Sequence, residues 1–377
     1  MTQTPALFTP ARLGPLTLPN RLLMAPLTRN RAAADGTPTP LMATYYAQRA
    51  SAGLIIAEAA TPNAVGQTYP NITAVHTPSH VAGWRRITDA VRDAGGGGMF
   101  LQLQHGGRVG HTATSGLTPV APSPVPLPET VFTPGGHRAA VVPREMTAAD
   151  IRATVADFAK AARNALDAGF EGVEVHSANG HLLHQFLARN TNHRTDGYGG
   201  PVQRRIRFTT EVTEAVAAEI GADRVGLRVS PGNTVNGIAE GETEEIYPAL
   251  AERLGGLGLA YLHLVYADPD APVFERIRAA WPGTLVANPV LTEMSSDAVH
   301  RASGRLLAAG ADLIALGRPF LANPDLVRRL RIGAPLNQVR DRYLMYVGGA
   351  DGYTDYPALG DQPSSSSRVA LDGPRVA

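Results

Sequence analysis

The chain has 377 residues, 34 Lys+Arg against 33 Asp+Glu for a formal net charge of +1, and 44% hydrophobic against 18% charged residues. That length suits one barrel domain with insertions, and the mixed, nearly balanced charge gives no basis for a nucleic-acid or polyionic partner. The absence of cysteine excludes disulfides, thiolate metal sites and a cysteine nucleophile; with no apolar h-region in Met1–Gly14 and no run near the ~20 apolar residues of a membrane span, a cytoplasmic protein with no metal site is expected.

In chain order, short apolar runs that read as strands alternate with longer helical patterns. The runs are Arg21–Ala25, Leu54–Glu58, Met99–Gln104, Gly172–His176, Val225–Val229, Tyr261–Val265, Thr284–Ala287 and Leu313–Leu316. Continuous aliphatic stretches such as Leu54-Ile55-Ile56 suit parallel strands covered on both faces. Ala148–Ala168 reads as a helix capped by Thr147 and closed by Gly169, and Val202–Ile220 as one that follows Pro201 and stops at Gly221. Eight strand–helix units predict the α/β class and a (β/α)8 TIM barrel. Residues 1–359 are read as one domain. Residues 105–147, rich in Pro, Gly, Ser and Thr, form a long insertion after the third strand, either a cap over the mouth or an irregular surface excursion. The polar tail 360–377 is expected to be disordered.

Barrel chemistry sits at the C-terminal ends of the strands, and several polar residues fall there. The first strand runs into Pro26 and Thr28, the third carries Gln102 and Gln104 before His105, the fourth ends at His176 and leads to Asn179 and His181, the fifth holds Arg228, and the eighth leads to Gly317-Arg318. An arginine facing a barrel interior needs an anion or a strong acceptor to offset its desolvation. The loops after strands seven and eight are a frequent phosphate site, and Pro319 is a good first helical residue. No GxGxxG follows a strand, so a dinucleotide would not sit in a Rossmann site.

The run His176-Ser177-Ala178-Asn179-Gly180-His181-Leu182-Leu183-His184-Gln185-Phe186-Leu187, continued by Asn192-His193-Arg194-Thr195-Asp196-Gly197-Tyr198-Gly199-Gly200, resembles the old yellow enzyme family. Phe8-Thr9-Pro10, Met24-Ala25-Pro26-Leu27-Thr28-Arg29, Arg228-Val229-Ser230-Pro231, Asn323-Pro324-Asp325-Leu326 and Tyr353-Thr354-Asp355-Tyr356-Pro357 extend the likeness over residues 5–359, nearest to bacterial members such as the pentaerythritol tetranitrate and N-ethylmaleimide reductases. The resemblance implies a non-covalent FMN, with Pro26, Thr28, Ala59, Gln102 and Arg228 at the ring and Val290, Gly317 and Arg318 at the phosphate. It implies NADPH as co-substrate in a ping-pong cycle, and hydride transfer from flavin N5 to the β-carbon of enones, maleimides or nitroalkenes, with nitrate esters as further acceptors. His176 and Asn179, three residues apart and read as the entry of a helix, would grip one substrate oxygen, and Tyr69 and Tyr346 would wall the pocket. The working form would be a monomer or homodimer. Where the family has a tyrosine proton donor, this chain has His181; Pro289 stands where glycine is usual; Gln104 stands where some relatives have tryptophan. The rival from another class is a non-catalytic flavin binder in which His181 marks a lost proton donor.

Overall fold

A computed structural model describes residues 4–341 and 343–360; the tail expectation therefore lies almost wholly outside the described residues. Eight parallel strands close on themselves: β1 (Leu22–Met24), β2 (Leu54–Thr61), β3 (Met99–Leu103), β4 (Gly172–Ser177), β5 (Val225–Val229), β6 (Tyr261–Ala267), β7 (Leu285–Pro289) and β8 (Leu313–Leu316). Closure is the β8–β1–β2 pairing, with Leu316 opposite Met24 and Met24 opposite Ile55. The predicted strands all form, mostly within a residue or two of their expected ends. β2 and β6 run further, and each passes through a register shift, between Ala57 and Ala60 and between Leu264 and Ala267.

Strand alternation divides the apolar residues between two faces. Leu23, Leu54, Ile56, Phe100, Val286, Leu313 and Ala315 pack together inside the barrel, where Leu13 and Leu18 join them. Those two come from an antiparallel hairpin, Ala11–Leu13 with Leu16–Leu18, which shuts the N-terminal end and was not foreseen. Alternate residues (Leu22, Ile55, Leu101, Val173, Leu227, Leu285, Ile314) share a cluster with helix residues such as Trp84, Phe158 and Val212.

Helix α1 (Pro40–Ala47) follows β1 and α2 (Pro78–Asp93) follows β2. Helix α3 (Ala148–Asp167) starts as expected: Thr147 Oγ1 accepts from Asp150 N while the Asp150 carboxylate accepts from Thr147 N, a capping box. The helix expected over Val202–Ile220 is instead two, Val202–Arg205 and α4 (Arg207–Ile220), broken at Ile206, with Pro201 as N-cap. Arg205 explains the break. Its buried guanidinium bonds Leu187 O, Glu240 O and Glu242, so the first turn is tied to the mouth rather than continued along the barrel wall. Helices α5 (Thr243–Leu254), α6 (Pro272–Ala280), α7 (Ser296–Ala308) and α8 (Leu326–Ile332) complete the ring. A five-residue helix, Arg318–Ala322, intervenes after β8.

The 105–147 insertion has structure of its own. Val120–Ala121 pairs with Arg144–Glu145, and Thr130–Thr133 forms a hairpin with Gly136–Ala139. Hydrogen bonds moor it to the mouth, among them those of Arg108. Gln185 Oε1 accepts from Arg108 N at 3.1 Å, and Arg108 Nη2 donates to Asn236 O at 2.7 Å and Gly237 O at 3.0 Å.

Candidate active site

Polar residues occupy the upper interior of the barrel at the positions that alternation assigns to the inner face. The registers place Gln102 beside Glu174, His176 beside Arg228, and Arg228 beside His263. Glu174 is the hub. It accepts from Gln102 Nε2 at 2.8 Å, from Tyr261 Oη at 3.1 Å and from His263 Nδ1 at 2.7 Å. Burial pushes its carboxyl up, but His263, Arg228 and the hydrogen bond from Gln102 outweigh that and hold it below the usual carboxylate range. Arg228 is 6% exposed. Its hydrogen bond is a long one, Nη1 to Pro26 O at 3.4 Å, and its Nε is buried without a partner. Burial lowers its pKa against the pull of Glu174, yet a guanidinium stays charged.

From Glu174 a chain of hydrogen bonds runs outward and fixes its own direction. A carboxylate only accepts, so the Gln102 amide donates, and the same Nε2 lies 3.2 Å from His176 Nδ1. A neutral His176 then carries its proton on Nε2, which faces His181 Nδ1 at 3.2 Å. His181 in turn carries its proton on Nε2, buried and without a partner. Both rings are held neutral. Burial drives His176 well below the ordinary histidine value, with His181 and Arg228 adding to the effect, and brings His181 down to about 4. His105 beside them is lowered to about 3, by burial first and His181 second. An imidazolium at His181 near neutral pH, the form in which it could replace the family's tyrosine donor, meets this obstacle: desolvation dominates.

His176 and Asn179 do not lie at the entry of a helix, as the sequence reading had them. His176 is the penultimate residue of β4, the following helix begins only at Leu182, and Asn179 sits in a left-handed turn at φ 52°. Asparagine tolerates that conformation better than most residues. Three contacts hold the turn. Asn179 N donates to Ser230 Oγ at 2.9 Å, Asn236 Nδ2 donates to Asn179 O at 2.7 Å, and Gly180 N donates to His184 Nδ1 at 3.1 Å. Gly180 is required there: φ is +73° and an added Cβ would lie 2.6 Å from Asn236 Cβ. Asn179 Oδ1 remains buried and unpartnered.

Of the other expected residues, Pro26 meets this centre through its carbonyl, which accepts from Arg228. Pro26 and Ala59 are buried and Thr28 half-buried at the ends of β1 and β2. Burial, then neighbouring Tyr346, pushes the Tyr69 hydroxyl up to about 12; Tyr346 is 43% exposed. Gln104 lies just past β3 and donates to Thr68 Oγ1 at 3.1 Å. Pro289 ends β7, Val290 beyond it is 57% exposed, and Gly317 precedes the short helix that begins at an exposed Arg318. Sequence reasoning passed over Glu174, Tyr261 and His263. The signal was present: Glu174 shares the parity of His176 along β4, and Tyr261 and His263 share one face of β6, whose other face is aliphatic through Leu262 and Leu264. Among the described residues no group of His, Asp or Glu is placed to hold a metal.

The arrangement offers a fixed cation on β5, a histidine N–H on β4 and an asparagine side chain in the turn after it; elsewhere two tyrosines, Tyr69 and Tyr346, stand close to each other. A model of the NADH:flavin oxidoreductase / NADH oxidase family matches residues 6–337. A probable flavin mononucleotide-dependent alkene reductase of Leishmania infantum is 38% identical over 364 residues, covering 93% of this chain and 96% of that one. Among solved structures, morphinone reductase in complex with tetrahydroNAD superposes with a TM-score of 0.88 at 42% identity, over 95% of this chain and 100% of that one. The old yellow enzyme homologue from Zymomonas mobilis gives 0.88 at 41% identity, over 94% and 99%.

Proposed function

Because the chain belongs to the NADH:flavin oxidoreductase / NADH oxidase family, that of the old yellow enzymes, we propose that it is an FMN-dependent, NADPH-using reductase of activated alkenes. The observation that carries this reading is Arg228, a buried cation with an orphaned Nε one strand away from His176. Such a group fits the acceptor-rich, electron-accumulating edge of an isoalloxazine ring, and among the described residues nothing accepts a hydrogen bond from its Nε. The chemistry FMN supplies when bound is a two-stage hydride relay, accepting from NADPH and, after the spent nucleotide leaves, donating to the β-carbon of an enone, maleimide or nitroalkene, with nitrate esters as further acceptors.

The chain's own residues do the rest. Pro26, Thr28, Ala59, Gln102 and Arg228 hold the ring, and Val290 N–H, Gly317 and Arg318 hold the phosphate. His176 Nε2–H, turned from His181 Nδ1 to the incoming ligand, and the Asn179 amide grip the substrate carbonyl or nitro oxygen, drawing electron density from the β-carbon. Tyr69 and Tyr346 wall the pocket, and the 105–147 insertion covers it. A neutral His181 is a good hydrogen-bond donor and a poor acid, so the proton for the α-carbon comes from solvent and His181 lines the path. A neighbour that binds tetrahydroNAD supports a nicotinamide co-substrate entering the same opening as the alkene, which suits the absence of a Rossmann fingerprint.

The test is direct. The purified protein should be yellow and release FMN on denaturation in near-stoichiometric amount, and Arg228→Ala should weaken FMN binding or lower its reduction potential. Unchanged affinity and potential in that variant would remove Arg228 from the flavin site. A faster reductive half-reaction with NADPH than with NADH is the expected co-substrate preference.

A further inference from the structure

Beside the mouth lies a cavity of about 420 Å³ that shares no lining residue with the polar centre of Gln102, His176 and Asn179. That size falls within the roughly 300–1,000 Å³ of small-molecule sites. Its walls are mixed, with Ala32, Leu41, Pro70, Phe132 and Val347 beside the polar Asn30, Arg31, Thr39 and Asn71. Tyr346 belongs to the same lining and is close enough to Tyr69 to act on its hydroxyl. The cavity thus adjoins the proposed substrate pocket on the side of its tyrosine wall. Phe132 places the insertion's hairpin over it.

The polar part of the lining is unusual. Arg31 is 5% exposed. Its Nη1 donates to Arg29 O at 2.6 Å and Met345 O at 3.2 Å, and its Nη2 to Leu344 O at 2.7 Å. These bonds clamp the 344–345 backbone but leave Nε buried without a hydrogen-bond partner, and the guanidinium lies 4.8 Å over the Tyr353 ring, with no carboxylate bonded to it among the ion pairs of the described residues. Arg29 next to it adds a second buried guanidinium, spent on Met345 O and Gly352 O. The nearby carboxylate is Glu58, which accepts instead from Arg29 N and Tyr46 Oη and which burial brings up to about 7. Two cations therefore face at most one partly ionised carboxyl. Asn30 Oδ1, also in the lining, is buried and unpartnered.

We propose that this cavity is a second subsite, which takes an apolar arm ending in a carboxylate on the alkene acceptor. The apolar residues of the wall bury the arm, Arg31 receives the charge, and the reacting ring lies between Tyr69 and Tyr346. The assignment of the occupant as an acceptor rests on the proposed reductase function.

The experiment is calorimetric titration of the FMN-loaded protein with a cyclohexenone bearing a carboxyhexyl arm, with its methyl ester, and with hexanoate and inorganic phosphate alone. Wild type should bind the acid at least about tenfold more tightly than the ester, the usual scale for a hydrogen bond to a buried charge. Arg31→Gln should abolish that preference. Leu41→Trp, which fills the cavity and removes no hydrogen bond, should weaken acid and ester alike; it keeps the test decisive if Arg31→Gln does not fold. Equal binding of acid and ester by wild type, or tight binding of both by Leu41→Trp, would overturn the subsite. Hexanoate or phosphate binding as tightly as the armed acid would make it a free-anion site and overturn the arm. Turnover of plain cyclohexenone, measured alongside, reports on the reductase reading separately, since its loss in wild type would sink that reading while the titrations still decide the cavity.

Discussion

At the scale of the residue, protonation separates this site from a tyrosine-bearing one. His181 is held near 4 by burial, so between pH 6 and 8 it does not change charge, and the oxidative half-reaction with cyclohexenone should show no step due to it. His181→Tyr, which restores an acid with an unperturbed pKa of about 10, should speed that step, and His181→Phe should change it less than roughly tenfold, as suits the loss of a neutral donor. A rate in wild type that falls from pH 6 to 8, with the fall removed in His181→Phe, would show that the imidazolium is the acid after all. The same burial has a consequence for stability. His105 and His181 have folded-state values below the unfolded value of about 6.5. The unfolded chain therefore binds more protons, and stability falls as pH drops below about 6.5 toward 4, by up to about 1.4 kcal/mol per pH unit for each histidine. Denaturant titrations of the His105→Gln and wild-type proteins at pH 7 and 5 should show a smaller acid loss in the variant; equal losses would contradict it.

At the scale of the element, the turn after β4 does the positioning. Ser230 and Asn236 touch neither His176 nor His181 in any hydrogen bond described above, yet they hold Asn179 through its backbone. Ser230→Ala should weaken binding of a phenol, whose oxygen would take the place proposed for the substrate oxygen between His176 and Asn179, by roughly tenfold as read from the charge-transfer band with oxidised flavin, the worth of one hydrogen bond of about 1–1.5 kcal/mol, while leaving FMN affinity unchanged. An unaltered phenol titration would show that the turn holds itself. The barrel strands and the cap of α3 were legible in the sequence because each is a local signal: an aliphatic run with turn residues at its ends, or Thr147 three residues before Asp150. The break at Ile206 was not, because its cause is Arg205 reaching carbonyls at 187 and 240. The left-handed Asn179 was hidden for the same reason. A spacing of three from His176 suits a helix entry as well as a turn, and only Ser230 and Asn236 from beyond β5 select the turn. Glu174 and His263 were readable by parity, but the buried network they share appears only when β3, β4, β5 and β6 are side by side.

At the scale of the whole molecule, the barrel closes its N-terminal end with apolar layers and a hairpin, and concentrates its buried polar groups at the other end. Orphaned atoms at Arg228, His181, Asn179 and His105 mark that end as built around something it must bind, since unpaired buried groups cost about 1–3 kcal/mol each. FMN added to flavin-free protein should therefore raise its thermal midpoint, by an amount equivalent to ~2.7 kcal/mol at a hundredfold excess over Kd; no shift would speak against a flavin site in this mouth. The central claim, that this mouth reduces activated alkenes through His176 and Asn179, is tested most directly by anaerobic stopped-flow mixing of the NADPH-reduced protein with cyclohexenone, following flavin absorbance and the cyclohexanone formed. The expected result is flavin reoxidation matched one-for-one by cyclohexanone, slowed on the order of 10²-fold in His176→Ala and Asn179→Ala. Flavin that stays reduced in the presence of cyclohexenone, or variants that reoxidise at the wild-type rate, would contradict it.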